Sequence, residues 1–195
     1  MSENLRGALI NYEVYLDSNR MLGTATIDLP DLKFLTADIS GAGVAGKLDF
    51  PILGHTDSLE VTLNWRTINT DVMKLGKQTG LDLALYGANQ NIDNSTGESS
   101  VEQVKISLRG IDKTSTLGKF EPASSTETKS VLEVFYIKIE IDGTKVLELD
   151  KLNFVYYVDD NDYLEDVATA LGITDGAIII SAGFTTSDEP PEENP

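Results

Sequence analysis

Three glycines near residue 40 have the spacing of a nucleotide-binding motif. The segment "DISGAGVAGKLDF" holds Gly41, Gly43, Gly46 and Lys47, which fit both G-x-G-x-x-G and most of a phosphate-binding loop. Such a loop binds phosphate because it opens into a helix whose first amide groups attract the anion. Here Leu48 stands where a Mg²⁺-binding Ser or Thr is needed, and Pro51 soon follows in a segment typical of a strand or loop. The pattern therefore predicts backbone freedom in a long connection rather than a nucleotide site.

Two clusters of oxygen-bearing side chains suggest calcium ligands. They lie in "NQNIDNSTGE" and "DDNDYLED". Neither has the spaced ligands, central glycine and closing glutamate of an EF-hand loop. The first is typical of a solvated turn and the second of a helix N-terminus, so no metal site is predicted.

His55 is the single histidine, and the chain has no cysteine. Disulfides, thiolate catalysis and two-histidine mechanisms are therefore excluded. Asp57 and Ser58 lie nearby in sequence, but a Ser/His/Asp triad depends on the fold rather than on adjacency, and a histidine in a surface turn is the simpler interpretation. The residues predict no catalytic constellation, no enzyme and no cofactor.

The composition is that of an acidic folded protein. The 195 residues are 41% hydrophobic, and 15 Lys and Arg face 32 Asp and Glu, for a net charge of −17. No apolar run approaches a membrane span, and we expect neither a signal peptide nor a membrane anchor. This charge disfavours ordinary nucleic-acid binding. It is compatible with simple solubility and with a surface past which a polyanion moves without sticking.

Period-two alternation dominates the chain and predicts half-buried strands. It is clearest in "SLEVTLNW", "VKISLRG" and "VFYIKIEIDG", the last with Phe135, Ile137, Ile139 and Ile141 on one face. Asp142-Gly143 is a hairpin signal. Further strands are expected at 12–17, 21–29, 32–40, 80–87 and 152–158, with polar loops at 87–100 and 121–130. The fold class is mainly β, an antiparallel β-sandwich or barrel with one or two short α-helices.

Two segments have helical spacing instead. The first predicted helix has Ile68, Val72 and Leu75 on one face and ends at Gly80. The second ends at Gly172 and has an apolar face formed by Leu164, Val167, Ala168 and Leu171. The apolar run "GAIIISAGF" could add a last strand, and the acidic, proline-rich "TSDEPPEENP" is expected to be disordered.

The order of these segments resembles the major tail tube proteins of contractile-tailed bacteriophages. The resemblance runs through "MLGTATIDLPDL", the glycines, "SLEVTLNW", "LDLALYGANQ", "VEQVKISLRGID", "STLGKFEPAS", the long strand-turn-strand ending in "NFVYYVDD", and "DYLEDVATALGI". It implies a tail tube domain over 1–173 and a C-terminal extension over 174–195. Contractile bacteriocin particles use the same family. Ala168 and Thr169 stand where the family usually has arginine, which puts any charge pairing there in doubt.

The resemblance implies a structural, self-assembling subunit of the virion tail, assembled in the host cytoplasm. Rings, typically hexameric, stack into a hollow tube that conducts DNA without binding it specifically and is driven through the host envelope when the sheath contracts. The implied partners are other copies of the chain, the sheath, the tape measure, the baseplate or initiator, and the tail terminator. The alternatives are the tube of a contractile bacteriocin and a carbohydrate- or protein-binding β-sandwich module.

In related tube proteins the connection that the glycines open becomes ordered against a neighbouring ring. The resemblance therefore implies an inter-subunit or inter-ring contact in this connection, roughly 37–58. The candidate contact residues are Asp38, Gly41, Gly43, Gly46, Lys47, Asp49, Gly54 and His55.

Overall fold

The computed structural model describes residues 4–17, 19–21, 24–174 and 177–178. The strands are β1 Asn4–Leu16, β2 Asn19–Met21, β3 Thr24–Asp28, β4 Phe34–Ile39, β5 Leu48–Thr56, β6 Glu60–Trp65, β7 Leu81–Asp93, β8 Ser99–Thr116, β9 Thr128–Ile141, β10 Thr144–Asp150, β11 Val155–Val158, β12 Asn161–Asp162, β13 Ile173–Thr174 and β14 Ala177–Ile178. The helices are α1 Thr70–Leu75 and α2 Glu165–Ala170. The predicted disordered tail and most of the predicted last strand lie outside the described residues.

Within this described part of the chain, ten strands form one antiparallel sheet. Its main path runs β12-β11-β10-β9-β8-β7-β1-β2, and β6 attaches to β9 and carries β3 on its other edge. Strand β9 therefore has two partners on one edge, β6 along its first half and β10 along its second.

The partner changes at a β-bulge. The amide of Val134 donates to the carbonyl of Leu59 at 2.8 Å, whereas the carbonyl of Phe135 accepts from the amide of Lys151 at 2.9 Å. Phe135 has no opposite residue on β8, since the register passes from Arg109–Tyr136 to Gly110–Val134. Bulges bend long strands and let them pass from one layer to another. The result is a sandwich, which confirms the mainly β prediction.

The core lies between the two layers. The alternation predicted for "SLEVTLNW" is confirmed, because Leu59, Val61, Leu63 and Trp65 are all buried. They cluster with apolar side chains of the main sheet and α1, among them Val14, Leu75, Leu83, Leu108 and Ile137. The prediction that Phe135 shares the core face was wrong. The bulge adds one residue to β9, so the inward-facing positions change from odd to even numbers and Val134 is buried instead.

Several element boundaries differ from the predictions. The loop predicted at 87–100 is mostly strand, because β7 and β8 remain paired as far as Ile92 and Ser99. Backbone pairing does not require apolar side chains, so the polar composition misled the prediction. The first helix ends at Leu75 with Gly76 as its cap, before the predicted stop.

Other local signals are confirmed. Asp142 and Gly143 both have positive φ, +46° and +80°, as a two-residue hairpin turn requires. In α1, Val72 and Leu75 are buried and the Asn69 side chain caps the helix by accepting from the Val72 amide at 2.9 Å. Helix α2 is short, and Leu171 of its predicted apolar face is exposed.

Candidate assembly site

The predicted contact segment is a β-hairpin that forms its own two-stranded sheet. Strands β4 and β5 pair antiparallel, with Asp38 opposite Asp49 and Ile39 opposite Leu48. The connection expected to be long and glycine-rich is thus a ribbon, with Gly41, Gly43 and Gly46 at its tip and Gly54 within β5. A two-stranded ribbon alone is only marginally stable in water.

The ribbon has one polar and one apolar face. Directly opposed residues share a face, so Thr36, Asp38 and Asp49 lie on one side and the apolar side chains on the other. The apolar face consists of Leu35, Ala37, Ile39, Leu48 and Phe50. Its large side chains are between 40% and 52% exposed. No described residue of the chain covers them to the extent expected of a core.

The tip places three candidate glycines in backbone conformations that other residues rarely adopt. Gly41, Gly43 and Gly46 have φ of +133°, +95° and +124°. A Cβ atom added to any of them would meet nothing within 4 Å. Glycine is therefore required here by backbone conformation and not by close packing within the subunit.

Three charged candidates meet beside the tip. Lys47 Nζ lies 3.1 Å from Asp38 Oδ2 and 3.8 Å from Asp49 Oδ1. The pKa of Asp38 is lowered by its hydrogen bond with Asp49 and by Lys47, whereas the same carboxyl–carboxyl hydrogen bond raises the pKa of Asp49. All three side chains are largely exposed, so this is a surface network.

Gly54 and His55 lie at the other end of the hairpin, away from the tip. The register passes from Phe34–Thr56 to Thr36–Pro51, so both lie in an irregular stretch of β5. Gly54 has φ +66°, and an added Cβ would lie 2.5 Å from Leu164 Cδ1. Phe34 also contacts Tyr156 edge-to-face at 5.5 Å. The base of the hairpin is thus anchored on the segment before α2.

The residues around His55 do not form a catalytic triad. The Ser58 hydroxyl donates to Glu133 Oε2 at 2.6 Å, and the Ser58 amide donates to Asp57. Among the described residues, no group of three His, Asp or Glu side chains is arranged to hold a metal ion. Within the same residues, neither helix has the length and apolar character needed to cross a bilayer.

The apolar face of the ribbon was missed by the sequence reasoning, although a signal was present. Leu35, Ala37 and Ile39 alternate with polar residues, as do Leu48 and Phe50. The same alternation elsewhere predicted core strands correctly. Only the topology reveals that no second layer of described residues lies against this apolar face.

Comparison with known proteins identifies the family of the chain. The family model of phage tail tube protein FII matches residues 6–172. The tail tube protein of Escherichia phage P2 is 26% identical over 167 residues, which cover 82% of this chain and 94% of that protein. The chain therefore belongs to the phage tail tube protein FII family and is a structural component of a phage tail tube.

Proposed function

We propose that copies of this chain close into hexameric rings and that the rings stack into a hollow tube. The tube conducts DNA and passes through the host envelope when the surrounding sheath contracts. Residues 1–173 form the tube domain, and residues 174–195 are an extension. The subunit assembles in the host cytoplasm, contacts the sheath, tape measure, baseplate or initiator and terminator, and needs no catalytic residue for any step.

The apolar face of the β4–β5 ribbon carries this proposal. Its four large side chains are about half exposed, and burying such a side chain fully contributes about 1.5–3 kcal/mol. Because these side chains are already about half buried, a covering molecule would supply the remaining part of this free energy to a marginal ribbon. A neighbouring copy, in the same ring or in the next, would cover the apolar face and so stabilise both the ribbon and the contact between copies. The glycines at the tip would allow the backbone to adjust to that neighbour.

The edge of the main sheet offers a second contact. Residues 4–13 of β1 pair with β7 on one edge, while β2 covers only Val14 to Leu16 on the other. Leu5, Leu9 and Ile10 on this segment are more than half exposed. Exposed strand edges with apolar side chains promote pairing with another chain. Pairing between neighbours would join their sheets into a continuous barrel and close a ring.

Negative-stain electron microscopy of the concentrated, purified chain tests the proposal. We expect rings or long hollow tubes whose lengths increase with protein concentration. A species that stays monomeric at high concentration, without tubes at any salt concentration, would overturn it. A specific glycan or unrelated protein ligand bound by that monomer would instead support the β-sandwich binding module.

A further inference from the structure

An apolar cavity lies between the two layers of the sandwich, where β3 faces β1, β7 and β8. Its volume is about 350 Å³, and we call it the interlayer cavity. Leu9 and Leu29 are 52% and 46% exposed, so they lie at its mouth. Protein cores are normally close-packed, and the described side chains leave this space open. It is lined mainly by Leu9, Tyr12, Ile27, Leu29, Leu85 and Ile106.

A glycine keeps the cavity wide on the β7 side. Gly87 lines the cavity, and a Cβ atom added there would lie 3.0 Å from Leu9 Cδ1. The side chain of Leu9 is therefore directed between the layers. The sheet contact proposed above for β1 uses the backbone edge of that strand, so the cavity and the edge are separate surfaces.

The β8–β9 loop, residues 117–127, presents an aromatic side chain to solvent. Phe120 is 89% exposed, the highest fraction among the exposed large hydrophobic side chains of the described residues. Backbone hydrogen bonds hold the loop in place. The Lys119 amide donates to the Thr126 carbonyl at 2.8 Å, and the Thr126 amide donates to the Arg66 carbonyl at 2.9 Å. An aromatic side chain on a fixed loop is suited to act as an anchor in an interface.

The backbone of this loop adopts unfavourable conformations to keep its shape. Ala123 and Glu127 have φ of +59° and +54°. Gly118 has φ +79°, and a Cβ atom added there would overlap the Thr126 carbonyl. Strained backbone persists only where the surrounding structure fixes it, and it is concentrated at functional and binding positions. The loop is thus a shaped support for Phe120.

The cavity and the loop lie toward opposite ends of the same strands. Strand β8 lines the cavity at Val104 and Ile106 and enters the loop after Thr116, roughly 30 Å of strand beyond Ile106. Strand β9 returns from the loop until Ile141 lies opposite Val104. Two copies in the same orientation, one following the other along these strands, would bring the loop of one toward the cavity of the next. Such a heterologous contact repeats from copy to copy without closing.

We propose that Phe120 of one copy inserts into the interlayer cavity of a copy in the adjacent ring, an inference that rests on the proposed tube function. The occupant is a second copy of this chain, because every subunit carries both halves of the contact and a stack repeats one orientation. A phenyl ring fits an apolar space between leucine and isoleucine side chains, and its insertion covers the exposed Leu9 and Leu29. The contact is separate from that of the β4–β5 ribbon.

The protein concentration needed for tube formation, measured by sedimentation, tests this contact. Phe120→Ala should raise this threshold by about tenfold or more, because each subunit loses one buried aromatic side chain. Leu29→Ala should raise it by about threefold or more. Both side chains are exposed in the subunit, so circular dichroism and urea unfolding of the two variants should stay close to those of the unmodified chain.

A double-mutant cycle identifies what Phe120 contacts. Without the phenyl ring, Leu29 loses its partner across the interface, so the double variant should have a threshold within about twofold of that of Phe120→Ala. Phe120→Ala combined with Phe50→Ala is the matched control, because Phe50 lies on the ribbon and these two effects should multiply. Multiplied effects for Phe120 and Leu29 would place the ring elsewhere and overturn the proposal, as would an unchanged threshold for Phe120→Ala.

A fluorescent variant measures the environment of the loop within tubes. Phe120→Trp places an exposed indole at this position, whereas Trp65, the single native tryptophan, is 2% exposed and poorly accessible to acrylamide. We expect acrylamide quenching of the new indole to be largely lost when tubes form, and unchanged quenching would overturn the proposal. The threshold of Phe120→Ala is decisive whether or not this variant assembles. Failure of the unmodified chain to form tubes would instead overturn the proposed function, so the two failures are distinguishable.

Discussion

Gly54 of the β4–β5 ribbon packs directly against Leu164, which lies 110 positions later in the chain. Gly54 has φ +66°, and its missing side chain leaves the space that Leu164 occupies, since a Cβ would lie 2.5–2.7 Å from three carbons of that leucine. Leu164 is 4% exposed and has little room to move. This contact fixes the base of the ribbon, whereas the glycines of its tip have open space around them.

We therefore expect Gly54→Ala to lower the free energy of unfolding by about 2–4 kcal/mol, the sum of backbone strain and overpacking. Gly97→Ala is the matched control, because Gly97 also has positive φ, +74°, but an added Cβ there meets nothing within 4 Å. Gly97→Ala should be destabilised only by the backbone strain, which lowers its free energy of unfolding by about 1 kcal/mol. Urea unfolding measures both; equal losses would show that the contact with Leu164 adds nothing.

Local sequence signals predicted most of the sandwich but not the places where distant strands meet. The alternation of "SLEVTLNW" and the Asp142-Gly143 turn identified their elements because both signals are contained within a few residues. The bulge at Phe135 was not predictable in this way. It arises where β9 changes partner from β6 to β10, and no residue near Phe135 records that change.

The structure divides the predicted contact residues between the two ends of the hairpin. The family resemblance predicted a contact in this segment, and the structure shows that its glycines lead into strand β5 rather than into a helix. The tip residues Asp38, Lys47 and Asp49 do come together, but Gly54 and His55 belong to the base. That distinction depends on the register of β4 with β5, which a one-residue slip would change completely.

The glycines at the tip give a second prediction. Gly43→Val and Gly46→Val should prevent tube assembly while leaving the subunit folded, because the substitutions strain only an open loop. Gly80→Val is the control, since Gly80 is outside the left-handed region and also has open space around it. Circular dichroism should match the unmodified chain for all three variants, and pelleting of tubes should fail for the first two. Normal assembly of Gly43→Val and Gly46→Val would contradict the role of the tip.

The apolar face of the ribbon gives a third prediction. Phe50 is 52% exposed in the subunit, so Phe50→Ser should change the free energy of unfolding by no more than about 0.5–1 kcal/mol. If a neighbour covers the ring, the same change should raise the protein concentration needed for tube formation by about tenfold or more. Phe50→Leu, which keeps an apolar side chain, should assemble near the normal concentration. Sedimentation across a concentration series measures the threshold, and an unchanged threshold for Phe50→Ser would exclude this face from the contact.

The turn between β7 and β8 gives a prediction on pH. Hydrogen bonds from the Ser95 hydroxyl and from the amides of Thr96 and Ser95 lower the pKa of Asp93 from 3.8 to about 2. A lowered pKa in the folded state means that ionised Asp93 stabilises the fold above its unfolded pKa. This contribution is lost as the pH falls from about 4 to about 2.

Ser95→Ala removes the largest of these hydrogen bonds and should move the pKa of Asp93 back toward its ordinary value. The loss of stability between pH 4 and pH 2 should then be smaller than in the unmodified chain. Carboxyl NMR titration and urea midpoints across that range measure the two effects. Ser125→Ala, in another exposed loop, should leave both unchanged, and an unshifted Asp93 titration in Ser95→Ala would refute the assigned cause.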